Sequence, residues 1–112
     1  MLARSARITT ADDYRAAVRR GARFAAPSTV TYLRKGSQST PRFGFIVAKS
    51  VGVAVVRNRV RRRLKAICYG FAPTVVPGSE IVIRALPGAA NCTFEELKRE
   101  VSRSLTRAEV LS

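Results

Sequence analysis

Apolar positions along the chain recur with two periods and divide it into short elements. Thr9 or Thr10 precedes a stretch with Asp12 and Asp13 in its first turn, where carboxylates suit a helix dipole. Tyr14 and Val18 follow four residues apart with Ala17 beside them, and Gly21, after Arg19 and Arg20, reads as the helix stop. Ser28 to Arg34 is rich in β-branched residues and reads as a strand. Lys35 to Pro41, with Gly36 and two serines, reads as a turn, and Arg42 to Lys49 (RFGFIVAK) as a second strand. The short spacer predicts that these two strands form an antiparallel hairpin.

Val53 to about Tyr69 predicts a helix, because Val56, Val60, Leu64 and Ile67 fall within an arc of about 80° at about 100° per residue. Gly70, Pro73, Pro77 and Gly78 break the pattern, and residues 68–78 could hold a further short strand or helix. Glu80 to Ala85 (EIVIRA) reads as a third strand, ended by Pro87-Gly88. A capping box, Thr93-Phe94-Glu95-Glu96, opens a last helix whose apolar stripe is Phe94, Leu97, Val101 and Leu105. The order α-β-β-α-(short element)-β-α predicts an α+β domain with a small mixed central sheet packed with helices. At 112 residues the chain suits a single domain over 1–112, with residues 1–8 expected to be loose.

Charge changes the picture most. The chain carries 21 Lys+Arg against 7 Asp+Glu, a formal charge of +14. No acid lies between Tyr14 and Ser79, a stretch holding 14 of the 21 basic residues, so the whole excess sits mid-domain and calls for a polyanionic partner. Lys49 to Lys65 (KSVGVAVVRNRVRRRLK) has seven basic residues in 17 and no acid. Like charges at Arg57/Arg61, Arg59/Arg63 and Arg61/Lys65 repel along the helix, whereas a merely solvated face would interleave acids. Arginine's planar fork favours phosphate and base edges. An RNA-binding module, a DNA-binding protein and a membrane-active helix all share this charge logic. The membrane reading is disfavoured by a narrow apolar face without Trp or Phe, and the DNA reading by arginines on two flanks and no stripe left for dimerisation.

Other classes fall away. No run of about 18 apolar residues predicts a membrane span, and the start MLARSARITT has neither an apolar h-region nor a small-residue cleavage site. There is no His, and Cys68 and Cys92 alone make neither a disulfide framework nor a zinc cage. A reducing cytoplasm is the expected compartment. The close acids, Asp12/Asp13 and Glu95/Glu96/Glu100, lie in or near first helical turns, where the dipole accounts for them; Arg99 and Arg103 are spaced to pair with Glu96 and Glu100. No catalytic residue and no metal site is therefore expected in this polypeptide.

The run Gly52-Val53-Ala54-Val55-Val56-Arg57-Asn58-Arg59-Val60-Arg61-Arg62 resembles the signature of the protein subunit of bacterial ribonuclease P, with its lead-in of Lys49, Gly52, Ala54 and Val55. Asp13, Tyr14, Gly21 and Tyr32, the strand before the signature, Pro87 and the FEEL helix start extend the likeness over nearly the whole chain. The resemblance implies a helper for a ribozyme, in which the RNA subunit cleaves precursor tRNA to free its 5′ end. The protein is then expected to contact that RNA through Lys49, Arg57, Asn58, Arg59, Arg61, Arg62 and Lys65. It is expected to hold the 5′ leader in a cleft between the first helix and the sheet, at Tyr14, Val18 and Tyr32. Here Val18 replaces a second aromatic common in the family, and Val53 a common Asn. No cofactor is expected on the protein alone, Mg2+ is expected in the holoenzyme, and the protein is expected to be a monomer by itself. From the residues alone, Tyr14 and Tyr32 read equally as core aromatics or stacking platforms. Phe43, Phe45, Phe94 and Leu97 read as core, Cys68 as a buried thiol, and Gly44 as space for a neighbouring element. Arg4 and Arg7 read as loose phosphate contacts or as a solvated tail.

Overall fold

The computed structural model describes residues 7–36 and 40–111. Helix α1 (Ala11–Arg20) begins at Thr10, whose hydroxyl accepts from Asp13 N, and ends at Gly21. Strands β1 (Ala22–Ala25), β2 (Thr29–Lys35) and β3 (Arg42–Ile46) follow, then helix α2 (Ala54–Phe71), strand β4 (Ser79–Ala85) and helix α3 (Phe94–Arg107). The capping box at Thr93 and Glu96 forms in full. Helix positions therefore follow the sequence pattern closely, and the α+β class stands.

The strand pairing does not follow it. The sheet order is β1-β2-β4-β3. The expected hairpin between the second and third strands is absent, because β4 lies between them, antiparallel to β2 and parallel to β3. Burial explains the choice. All but one residue of β4 is buried, and only a central position hides both faces of so apolar a strand. Strand β1 was not expected: its residues are mostly exposed and carry no alternation, and it forms as an edge strand against β2. The strand after Pro41 ends at Ile46 rather than Lys49, which opens a short 3-10 turn. Residues 68–78 complete α2, make a 3-10 turn at Ala72–Thr74 and bridge Val75 to Leu111.

Of the residues expected to be loose, 1–6, including Arg4, lie outside the described residues. Arg7 bridges to Phe43, and Ile8 N donates to Phe43 O at 2.7 Å. Ile8 is buried, since its side chain joins the apolar cluster beneath α1.

The sheet separates two cores. On one face Phe43, Ile81, Ile83 and Ala85 meet Val60, Leu64, Ile67 and Cys68 of α2 and Leu97, Val101 and Leu105 of α3. On the other, Ala17 of α1 and Ile8 cover Val30, Tyr32 and Val82. Phe45 and Phe94 pack partly buried at the margin of the larger core. Glu100 locks α3 to the sheet, accepting from Ser28 N at 3.2 Å and from the Thr29 hydroxyl.

Candidate nucleic-acid interface

Helix α2 is anchored by its buried stripe, and this stripe decides where each arginine goes. Asn58 and Arg62 are exposed, as is Lys49 in the preceding turn, whereas Arg57, Arg61 and Lys65 are half-buried. Arg61 donates to Asn58 Oδ1 at 3.1 Å. Arg59 and Arg63 turn back onto the protein: Arg59 donates to Ala90 O at 3.4 Å and Arg63 to Cys92 O at 2.9 Å. Arg59 Nε is buried without a partner. One guanidinium nitrogen of Arg59 thus reaches the turn at Pro87–Asn91, while the residue stays partly exposed. Among the described residues the ion pairs involve Arg15, Arg34 and Arg42, and none of the α2 cations. Among the described residues, then, no carboxylate offsets the like charges along α2, a state suited to an anion-binding face.

A second element of the site lies between α1 and the sheet. The Tyr14 ring lies over Gly44, where an added Cβ would stand 2.7 Å from the ring. Its hydroxyl accepts from Phe45 N at 3.1 Å. Tyr14, Val18 and Ile46, flanked by Arg15 and Arg19, line an open groove of about 180 Å³. Val18 is exposed here but offers no ring. Tyr32 is 5% exposed within the cluster under α1, so it supplies the packed floor of the cleft and no free stacking face. Of the three expected leader residues, the structure brings Tyr14 and Val18 together at the surface and buries the third.

Arg84 escaped the sequence reading. It is exposed on the α1 side of β4, level with Val30 and Ile46 in the strand registers. A lone cation inside an otherwise buried strand was the available signal. Arg23, opposite Tyr32, is exposed on the same side.

Five of the seven carboxylates, Asp12, Asp13, Glu80, Glu96 and Glu100, are committed to structure. Arg42 joins Asp13 at 3.2 Å and Glu80 at 3.1 Å, and Arg34 meets Glu80 at 3.5 Å, which pins the first turn of α1 to the sheet. The Thr10 hydroxyl and the Arg42 guanidinium hold the Asp13 carboxyl below its ordinary value of 3.8. A depressed folded pKa contributes stability above the unfolded value that is lost as pH falls through the folded one. Urea unfolding between neutral pH and about pH 3 should therefore show an acid loss of stability that is smaller in Asp13→Asn; an unchanged acid slope would refute the pairing.

Glu96 is held low by the Thr93 amide and hydroxyl it caps. Among the described residues no three His, Cys, Asp or Glu side chains gather where a metal could sit. Burial pushes the Cys68 thiol well above its usual range, which makes it inert.

Comparison with known proteins adds the family context. A family model described as Ribonuclease P matches residues 2–109. The "Ribonuclease P protein component" of Clavibacter michiganensis is 48% identical over 109 residues, covering 96% of each chain. That of Rhodococcus erythropolis is 40% identical over 119 residues, covering 99% of this chain and 94% of the relative. Among solved structures, a Staphylococcus aureus RNase P protein mutant superposes with a TM-score of 0.90 at 22% identity, covering 96% of this chain and 91% of that one. The Thermotoga maritima RNase P protein gives 0.81 at 20% identity, covering 90% and 96%. These two share the fold.

Proposed function

The chain belongs to the ribonuclease P protein component family, and from that premise we propose how its surfaces divide the work. The outer side of α2 and the turn before it, with Lys49, Arg57, Asn58 and Arg62, bind the phosphate backbone of the catalytic RNA subunit. The groove at Tyr14, Val18 and Ile46 receives the single-stranded 5′ leader of precursor tRNA, with Arg84 and Arg23 beyond it on the open sheet face.

The observation that carries this reading is the cation face of α2, without an acid partner, in the same small domain as an open apolar groove. A phosphate-binding face supplies affinity without sequence preference, and an aromatic wall accepts any base. Both suit a substrate class whose leaders differ. The RNA performs the hydrolysis and holds the magnesium ions; the protein screens phosphate repulsion and positions the substrate. The proposed compartment is the cytoplasm, and among the described residues no helix is long and apolar enough to cross a membrane. The protein is proposed to be a monomer by itself, since its exposed large apolar residues lie apart: Val18 on α1, Val53 and Val55 at the start of α2, Tyr69 near its end and Val76 before β4.

The test is precursor tRNA cleavage at low magnesium, with a bacterial ribonuclease P RNA alone, this protein alone, and both together. Correct 5′ cleavage is expected only from the pair. Tight RNA binding without rescue would favour a non-catalytic RNA-binding module, and cleavage by the protein alone would overturn the assignment of chemistry to RNA.

A further inference from the structure

Tyr14 borders a second hollow besides the groove with Val18 and Ile46. Between residues 7–9, β3 and α2 lies a cavity of about 220 Å³. Tyr14 and Phe45 contribute to its apolar lining, Arg7, Arg61 and Lys65 supply three cations, and no carboxylate borders it. Two larger basic hollows differ in this respect. The one between Ala25–Pro27 and α3 sets its arginines beside Glu96 and Glu100, and the one along α1 includes Asp12 and Asp13.

The walls of the acid-free cavity are held in place. Ile8 N is bonded to Phe43 O, so the segment carrying Arg7 is an extension of the sheet. Phe45 N donates to the Tyr14 hydroxyl, which keeps the ring between the two hollows. Asn58 Oδ1 takes one guanidinium nitrogen of Arg61, orienting the group and leaving its other donors for a ligand. Lys65 follows Arg61 one turn along the same side of α2.

An apolar lining beside three cations is complementary to a ligand with a flat aromatic body and an anionic end. The cavity is smaller than the roughly 300–1,000 Å³ of ordinary small-molecule sites, so it takes in no more than one nucleotide and excludes a duplex. We propose that this cavity binds a single unstacked RNA nucleotide, its base against Tyr14 and Phe45 and its phosphate among Arg7, Arg61 and Lys65. The inference rests on the reading that the leader strand crosses the α1 groove, and it assigns the nucleotide to that strand. Arg61 and Lys65 then serve the substrate, whereas Arg57 and Arg62 serve the RNA subunit. Tyr14 is the wall common to both hollows.

The first test titrates the full-length protein at low salt with adenosine 5′-monophosphate, adenosine and inorganic phosphate, following backbone amides by NMR. The nucleotide is expected to shift the Ile8 and Phe45 amides and to bind at least about fivefold more tightly than either fragment. Arg61→Ala and Lys65→Ala should each weaken it by about fivefold or more, while Arg103→Ala on α3 leaves it unchanged. The amide spectrum of each variant reports its folding directly. Equal binding of phosphate and nucleotide, or nucleotide shifts indifferent to both substitutions, would overturn the proposal.

The second test places an abasic residue at successive leader positions of precursor tRNA bound to the holoenzyme. One position should cost affinity, and that cost should vanish in Lys65→Ala. A cost that persists in the variant would remove the leader from this cavity. The first test needs neither RNA subunit nor magnesium, so its failure is separable from failure of cleavage rescue.

Discussion

Raising monovalent salt from about 50 to 200 mM is expected to weaken binding to the RNA subunit by roughly 40-fold, the loss produced by three phosphate contacts at Lys49, Arg57 and Arg62. The expectation follows from the state of the cations on α2. Each free cation that neutralises a phosphate releases a condensed counterion, and the salt slope counts those releases. Arg57→Ala combined with Arg62→Ala should reduce the slope by about 2 and weaken binding to all RNA sequences alike. Arg63→Ala should behave differently, because its guanidinium donates to Cys92 O and is already engaged. That change should lower the stability of the protein and leave the salt slope close to its original value. Filter binding or fluorescence anisotropy over a salt series measures both quantities. A slope near zero, or equal slope changes from Arg62 and Arg63, would refute the division of α2 into an RNA side and a structural side.

Gly44→Val is expected to destabilise the protein by about 1–3 kcal/mol, the usual cost of forcing extra atoms into a packed contact. An added Cβ at this position would stand 2.7–2.8 Å from two ring carbons and the hydroxyl oxygen of Tyr14. The ring must move, and the bond from Phe45 N to its hydroxyl breaks with it. Valine is a good strand residue, so backbone propensity opposes no part of the change. Tyr14→Ala opens the space that valine needs, and Gly44→Val should therefore cost less in that background than in the native protein. Function should follow the ring. Both Gly44→Val and Tyr14→Ala should reduce the preference for leader-bearing over mature tRNA, each lost base contact being worth roughly 1–3 kcal/mol. Urea unfolding gives the stability cycle, and competitive binding of the two tRNA forms gives the preference. Equal loss of affinity for leader-bearing and mature tRNA would sink the groove assignment, and additive stabilities would show that the two residues do not press on each other.

Gly44 also shows how far local reading carries. A glycine inside RFGFIVAK reads as space left for something, but nothing within that segment says for what. The occupant, Tyr14, lies thirty positions earlier in the chain, and only the packing of α1 across the sheet brings it there. Tyr14 and Tyr32 look alike in sequence, each a lone aromatic among polar or β-branched residues. Packing of α1 over β2 buries one, while the position of the other at the groove leaves its ring half-exposed. Arg59 and Arg63 share the charge and spacing of their neighbours on α2. Their guanidiniums are taken by carbonyls of a turn about thirty residues later, and no periodicity within the helix reports that turn.

The chain by itself determined the three helices, the N-terminal caps of α1 and α3, the apolar stripes of α2 and α3, and the concentration of positive charge between Tyr14 and Ser79. These are properties of residues three or four positions apart, so they are written in local order. Tertiary structure alone decided that β4 enters between β2 and β3, that β1 forms at all, and that Arg7 meets Arg61 and Lys65 at one cavity. A strand takes its neighbours according to how much apolar surface each arrangement hides, and a cation is free or engaged according to which distant carbonyl comes within reach. Both depend on burial across the whole domain, which is settled only when all the elements pack together.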